Sequence, residues 1–123
     1  VFFDKETRFD FLVEKDKQKI FLEVKNVTLF RDEKIAEFPD SVTTRGSKHL
    51  KTLVTAMKKG FKSYLLFLVQ IQGVNKFKIA KDIDKEYYKN YLLAKKAGVK
   101  FLAYRCKINH KEIKIEKKIK IIF

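Results

Sequence analysis

A chain of 123 residues, 46% hydrophobic and 14% aromatic, suits one domain with a real core, which excludes a disordered basic tail. One cysteine, Cys106, excludes an intrachain disulfide framework and a multi-cysteine zinc site, and fits a reducing compartment. The formal net charge is +14, but residues 1–40 hold 8 Lys+Arg against 10 Asp+Glu, whereas residues 41–123 hold 21 against 5.

The chain opens on Val1 rather than Met, which suggests a piece of a longer protein, and no signal-peptide pattern follows. Residues 8–13 alternate, with Phe9, Phe11 and Val13 on one face and Arg8, Asp10 and Leu12 on the other, the period of a strand. A charged turn over residues 14–18 leads to a second alternating run, 19–25. There Ile20, Leu22 and Val24 oppose Phe21, Glu23 and Lys25, so the two runs read as a hairpin. Residues 27–30 and 35–38 read as a further strand pair or as an extended excursion, and Pro39 stops the segment. Thr43 or Thr44 then caps a helix. Its core stripe is Leu50, Leu53, Val54, Met57 and Phe61, with Lys48, Lys51, Thr55, Lys58 and Lys59 opposite. Arg45 and His49 flank the stripe, and Gly60 is the stop.

The run Tyr64 to Val69 is nearly all apolar, which suits a central strand buried on both faces. It is far short of the ~20 residues that cross a bilayer. Asp84 caps a second helix over about 85–97, ended by Gly98, and Val99 to Tyr104 is another buried-type strand. Helix, strand, helix, strand predicts parallel strands joined by crossovers. The tail alternates, Ile113, Ile115, Ile119, Ile121 and Phe123 against Glu112, Lys114, Glu116 and Lys120, and reads as an edge strand guarded by lysine. With no repeat and no linker, the whole is one continuous domain over 1–123. Its class is α/β, a mixed central β-sheet flanked by helices.

The basic remainder of the chain has two readings. Lys and Arg gain affinity for a polyanion by displacing counterions from phosphates, so nucleic acid is the natural partner. Alternatively, 25 Lys against four Arg reflects composition drift in an AT-rich genome. No helix pairs a bulky apolar face, free of core duty, with a lysine face, so a membrane partner is not expected.

The chemistry sits in the hairpin. Glu23 and Lys25, two apart in a strand, project to one side, and the neighbouring strand brings Asp10 close. Two carboxylates beside a lysine make a compact site for Mg²⁺ or Mn²⁺, which polarises a phosphoryl oxygen and activates water. Arg45, Lys48 and His49, near a helix N-terminus, are candidate phosphate contacts, joined by Lys51 and Lys58. His49 reads as an orienting hydrogen-bond partner rather than a metal ligand, because His110 has no matching spacing. Cys106 and the cluster Tyr87, Tyr88 and Tyr91 read as packing.

The order Asp10, then Glu23-Val24-Lys25, resembles the PD-(D/E)xK nuclease superfamily, whose fold is restriction-endonuclease-like. More of the chain carries a narrower resemblance. The blocks Arg8-Phe9-Asp10-Phe11-Leu12, Glu23 to Leu29, Phe38 to Leu50, Asp84-Lys85-Glu86-Tyr87 and Gly98 to Arg105 are similar to the sugar fermentation stimulation protein family. The match runs from about Thr7 to Arg105. It implies a cytoplasmic DNA-binding protein linked to the regulation of sugar, notably maltose, metabolism. It also implies that a preceding OB-like domain is missing here, so that these residues are a C-terminal fragment. By motif position Asp10 and Glu23 would hold Mg²⁺ or Mn²⁺ together with the Val24 backbone carbonyl, and Lys25 would be the catalytic lysine. Pro39-Asp40 follows the ExK tripeptide, so Asp40 is not the first acid, and Thr44 stands where many relatives carry Glu. Three functions follow: a Mg²⁺-dependent DNA phosphodiesterase, a non-catalytic DNA-binding regulator, or a structural interaction module. The oligomeric state stays open.

Overall fold

The computed structural model describes residues 9–108 and 111–123, without the side chains of Ile108 and Ile113. Arg8 and His110 lie outside them. The strands are β1 Phe11–Lys15, β2 Gln18–Val27, β3 Leu29–Asp32, β4 Ile35–Phe38, β5 Lys62–Val69, β6 Lys76–Ile79, β7 Lys100–Ile108 and β8 Ile113–Ile122. Helix α1, Thr44–Lys58, lies between β4 and β5, and helix α2, Lys85–Lys96, between β6 and β7. The eight strands form one sheet in the order β1-β2-β5-β7-β8-β6-β4-β3. β1 and β2 are antiparallel, whereas β2, β5 and β7 run parallel, so the sheet is mixed and α1 and α2 are its crossovers.

The expected hairpin forms, with a tighter turn than the charge pattern suggests. Asp16 and Lys17 alone make it, both at positive φ (52° and 65°), the backbone of a two-residue connection that matches strand twist. The facing of its first strand differs from the sequence reading. Asp10 lies in a bend before β1, and the alternation breaks there. Phe9 is buried, but Phe11 and Val13 are 54% and 45% exposed, and Leu12 turns to the core instead.

Both described helices pack on one face of the sheet. Register places Phe21, Glu23 and Lys25 of β2 beside Ser63, Leu65 and Phe67 of β5, with Phe101 and Ala103 of β7 continuing that face. Ser63 Oγ donates to the Leu53 carbonyl of α1 at 3.0 Å. The Tyr91 ring of α2 lies 4.6 Å from Phe101. This one-sided cover corrects the expectation for the apolar run: Leu65, Phe67 and Val69 are buried, but Tyr64, Leu66 and Leu68 on the other face are only half-buried.

The tail is a second correction. β8 is an interior strand, antiparallel to β7 on one side and parallel to β6 on the other. β6, whose four residues Lys76-Phe77-Lys78-Ile79 give a weak signal, extends the sheet past it and links to the β4–β3 pair. A register shift between Arg105 and Cys106 leaves Ile115 61% exposed while Ile119 is buried. Cys106 is buried in β7, as its packing role requires.

Capping fixes the two helix starts against each other. Thr43 caps α1, its Oγ1 accepting from the Gly46 N–H at 2.9 Å. Asp84 caps α2 through Oδ1, which accepts from the Tyr87 N–H at 3.0 Å, and its Oδ2 accepts from the Thr43 N–H at 2.8 Å. One carboxylate thus serves both helix N-termini, where donors would otherwise be orphaned.

Candidate metal and nucleic-acid site

The β1 ladder ends at the pair Phe11 and Leu22. Asp10 continues it with a side chain: its Oδ2 accepts from the Val24 N–H at 2.8 Å. In an extended strand the N–H and C=O of one residue leave the same edge, so the Val24 carbonyl also faces the Asp10 side. Glu23 and Lys25 project onto the helix-covered face. From α1, His49 brings Nδ1 to 3.2 Å from Lys25 Nζ and 3.5 Å from Glu23 Oε2. The fold therefore gathers Asp10, Glu23, Lys25 and His49 at one point, where β2 leads toward the N-terminal turns of α1.

The four groups shift one another's protonation. Burial pushes the Glu23 carboxyl up, and the hydrogen bond with Asp10 adds to that, raising it to about 8. Burial acts upward on Asp10 too, but its hydrogen bonds with Glu23 and the Val24 N–H, together with the Lys25 charge, outweigh it and hold Asp10 below its ordinary value. Burial pulls Lys25 down from the ordinary lysine range against the upward pull of Glu23. Burial, then the charges of Lys25 and Arg45, lower His49 to about 4, so its ring is neutral at pH 7. An ammonium has only donors. With Lys25 charged, His49 Nδ1 accepts and its hydrogen sits on Nε2, a tautomer assigned from the network.

Among the described residues, Glu23 Oε2, Ser47 Oγ and Tyr87 Oη are buried polar atoms with no hydrogen-bond partner. A partnerless carboxylate oxygen beside a second carboxylate is what a hard divalent cation would satisfy. No group of three His, Cys, Asp or Glu is placed to hold a metal among the described residues. The fitting set is thus Asp10, Glu23, the Val24 carbonyl and water, which suits Mg²⁺, an ion that keeps several waters.

The basic residues divide. Arg45, in the first turn of α1, is exposed, and its charge acts on Glu23, Lys25 and His49. Lys48 and Lys51 line a cleft of about 220 Å³ with Thr44, Ser47 and Asp84, between the two helix starts. Lys58 lies in the last turn of α1, about 15 Å along the axis from Lys48, and the fold does not bring it to the others. Asp40 is exposed in the loop that follows β4, behind the buried Pro39. Sequence reasoning missed the second hydrogen bond of Asp84. It also missed an ion-pair network in which Arg31 of β3 forks between Glu37 of β4 and Asp82. Only their alternating charges could have signalled it. No described helix is long and apolar enough to cross a membrane.

Comparison with known proteins gives this site its context. Residues 1–112 match the family model for the sugar fermentation stimulation protein RE domain. The chain is 86% identical over 122 residues to a sugar fermentation stimulation protein homolog of Pelagibacter ubique, covering 99% of this chain and 53% of that protein. A homolog from Clostridium acetobutylicum is 42% identical over 119 residues, covering 96% and 51%. The solved structure of Pyrococcus furiosus SfsA in complex with Ca²⁺ superposes with a TM-score of 0.88 at 29% identity, over 96% of this chain and 51% of that one. The chain spans about half the length of the curated relatives it matches. It belongs to the sugar fermentation stimulation protein family.

Proposed function

We propose that this chain is the nuclease-like half of a DNA-binding protein, and that Asp10, Glu23 and Lys25 hydrolyse phosphodiester bonds with Mg²⁺ or Mn²⁺. One observation carries the reading: the partnerless Glu23 Oε2, buried between Asp10, Lys25 and His49. The Ca²⁺ named for the solved relative supports it, since Ca²⁺ also seeks carboxylate and carbonyl oxygens.

When bound, the cation polarises a phosphoryl oxygen and lowers the pKa of a water. The chain's own residues do the rest. Asp10 supplies the negative charge that localises the cation, and Glu23 gives up its proton as it joins Asp10 in holding the ion. Lys25, pinned by His49, offsets charge on the phosphate oxygens. Arg45, exposed in the first turn of α1, draws the backbone phosphate toward them. Purified protein with Mg²⁺ or Mn²⁺ should nick DNA, and Glu23→Gln should cut cleavage about a hundredfold or more while leaving the circular dichroism spectrum unchanged. Absence of cleavage of every DNA and RNA tested, with either metal, removes the hydrolytic half of the proposal.

The net +16 of residues 41–123 (21 basic against 5 acidic) favours a second reading. In it the same frame binds DNA without cutting, as a regulator of sugar-metabolism genes. It predicts binding that weakens steeply with salt and no products.

A further inference from the structure

Tyr87 reads from sequence as packing, and most of it is. It is wholly buried at the start of α2, its N–H bonded to Asp84 and its ring edge-on to Phe38 at 5.4 Å between centroids. The hydroxyl does not fit that role. Tyr87 Oη is buried and has no partner, an arrangement less stable than the phenylalanine that would fill the same space.

The ring's path points to what the hydroxyl serves. A Cβ on Gly46 would come within 3.1 Å of Tyr87 Cε2, an atom near the phenol tip, so the tip runs beneath the first turn of α1. His49, three residues on and hence on a neighbouring part of the same helix surface, reaches Glu23. From the sheet side, Phe38 packs on Phe67 at 5.6 Å, and Phe67 is the register partner of Lys25. Both routes lead the tip into the strip between α1 and β2, behind Glu23, whose Oε2 also lacks a partner. After burial, the charge of Glu23 is the largest influence on the phenol, raising it above the ordinary tyrosine range.

We propose that Tyr87 is a positioning residue for the Asp10–Glu23 pair: its hydroxyl donates through one buried water to Glu23 Oε2 and sets the carboxylate's orientation. Such a water needs at least two polar partners; it would satisfy the Tyr87 hydroxyl and one lone pair of Glu23 Oε2, leaving the other for the cation. This deepens the proposed function, but its first test does not depend on it.

The test is a double-mutant cycle on melting temperature in metal-free protein, using Tyr87→Phe, Glu23→Met and both together. The expected result is that Tyr87→Phe lowers the melting temperature by about 4 °C in the wild type and lowers it not at all in Glu23→Met. Equal shifts in the two backgrounds, or a rise in the wild type, overturn the proposal. Calorimetric titration with Mn²⁺ should then show Tyr87→Phe binding about tenfold more weakly than wild type, and equal affinity overturns the orienting role. A wild type that takes up no Mn²⁺ would overturn the metal site alone. The melting cycle would still decide whether Tyr87 and Glu23 are coupled.

Discussion

Glu23 and Glu37 are two buried acids on the same sheet, 4% and 2% exposed, and the fold treats them in opposite ways. Glu37 of β4 is gripped by the Arg31 fork, Nε to Oε2 at 2.9 Å and Nη2 to Oε1 at 2.7 Å. The same guanidinium holds Asp82 at 2.7 and 2.8 Å. Both Glu37 oxygens are satisfied, and Lys78, its Nζ 4.0 Å from Glu37 Oε1, adds the second positive charge that two carboxylates require, the condition under which a buried carboxylate is tolerated. Glu23 has no such fork. A second acid, a half-buried lysine and a neutral imidazole surround it, and one oxygen stays unpaired. The first arrangement is complete without a ligand; the second leaves an oxygen that the proposed cation would satisfy.

That contrast can be broken most severely through stability. Arg31→Met leaves the Glu37 carboxylate buried without its fork and should lower the melting temperature more than Glu23→Gln does, with no recovery on adding Mg²⁺. A larger loss at Glu23 would mean that the site, not the network, is structural. On the binding side, Lys48→Ala with Lys51→Ala should weaken DNA binding and reduce the slope of log K against log salt by about 2. An unchanged slope would place the DNA elsewhere.

The smallest effect is on pH. The native protein keeps a proton on Glu23 up to about pH 8, while the unfolded chain releases it near its ordinary value of 4.5. Stability from this group therefore falls as pH rises through that window. His49, lowered to about 4 from 6.5, acts in reverse, adding stability between those values. The two oppose each other below pH 6.5, and above it Glu23 acts without that opposition. Between pH 6.5 and 8.5 the wild type should lose melting temperature relative to Glu23→Gln, and saturating Mg²⁺, which keeps Glu23 ionised in the folded protein, should remove that pH dependence. A constant difference without metal would mean that Glu23 is ionised throughout.

Most of the site was legible in the sequence because its parts are local. Glu23 and Lys25 share a face by strand period, the hairpin delivers Asp10, and Thr43 and Asp84 announce their helices. The failures have physical causes. The bend at Asp10 inverts the facing of Phe11 and Val13, which period-two reasoning carries straight through. The half-exposure of Leu66 and Leu68 depends on which side the helices take, and an apolar run does not encode that. The interior place of β8 depends on β6, a strand of four residues more than 30 positions away. Tyr87 looked like packing because its ring is; only the unpaired hydroxyl, visible in three dimensions, separates it from Tyr91.

The most direct test of the central claim is a crystal soaked in Mn²⁺ and measured for anomalous scattering. The account predicts a peak within metal–oxygen distance of both the Asp10 and Glu23 carboxylates, about 2.2 Å, beside the Val24 carbonyl. No peak there, with Glu23 Oε2 still unpaired or turned to a protein donor, would contradict it.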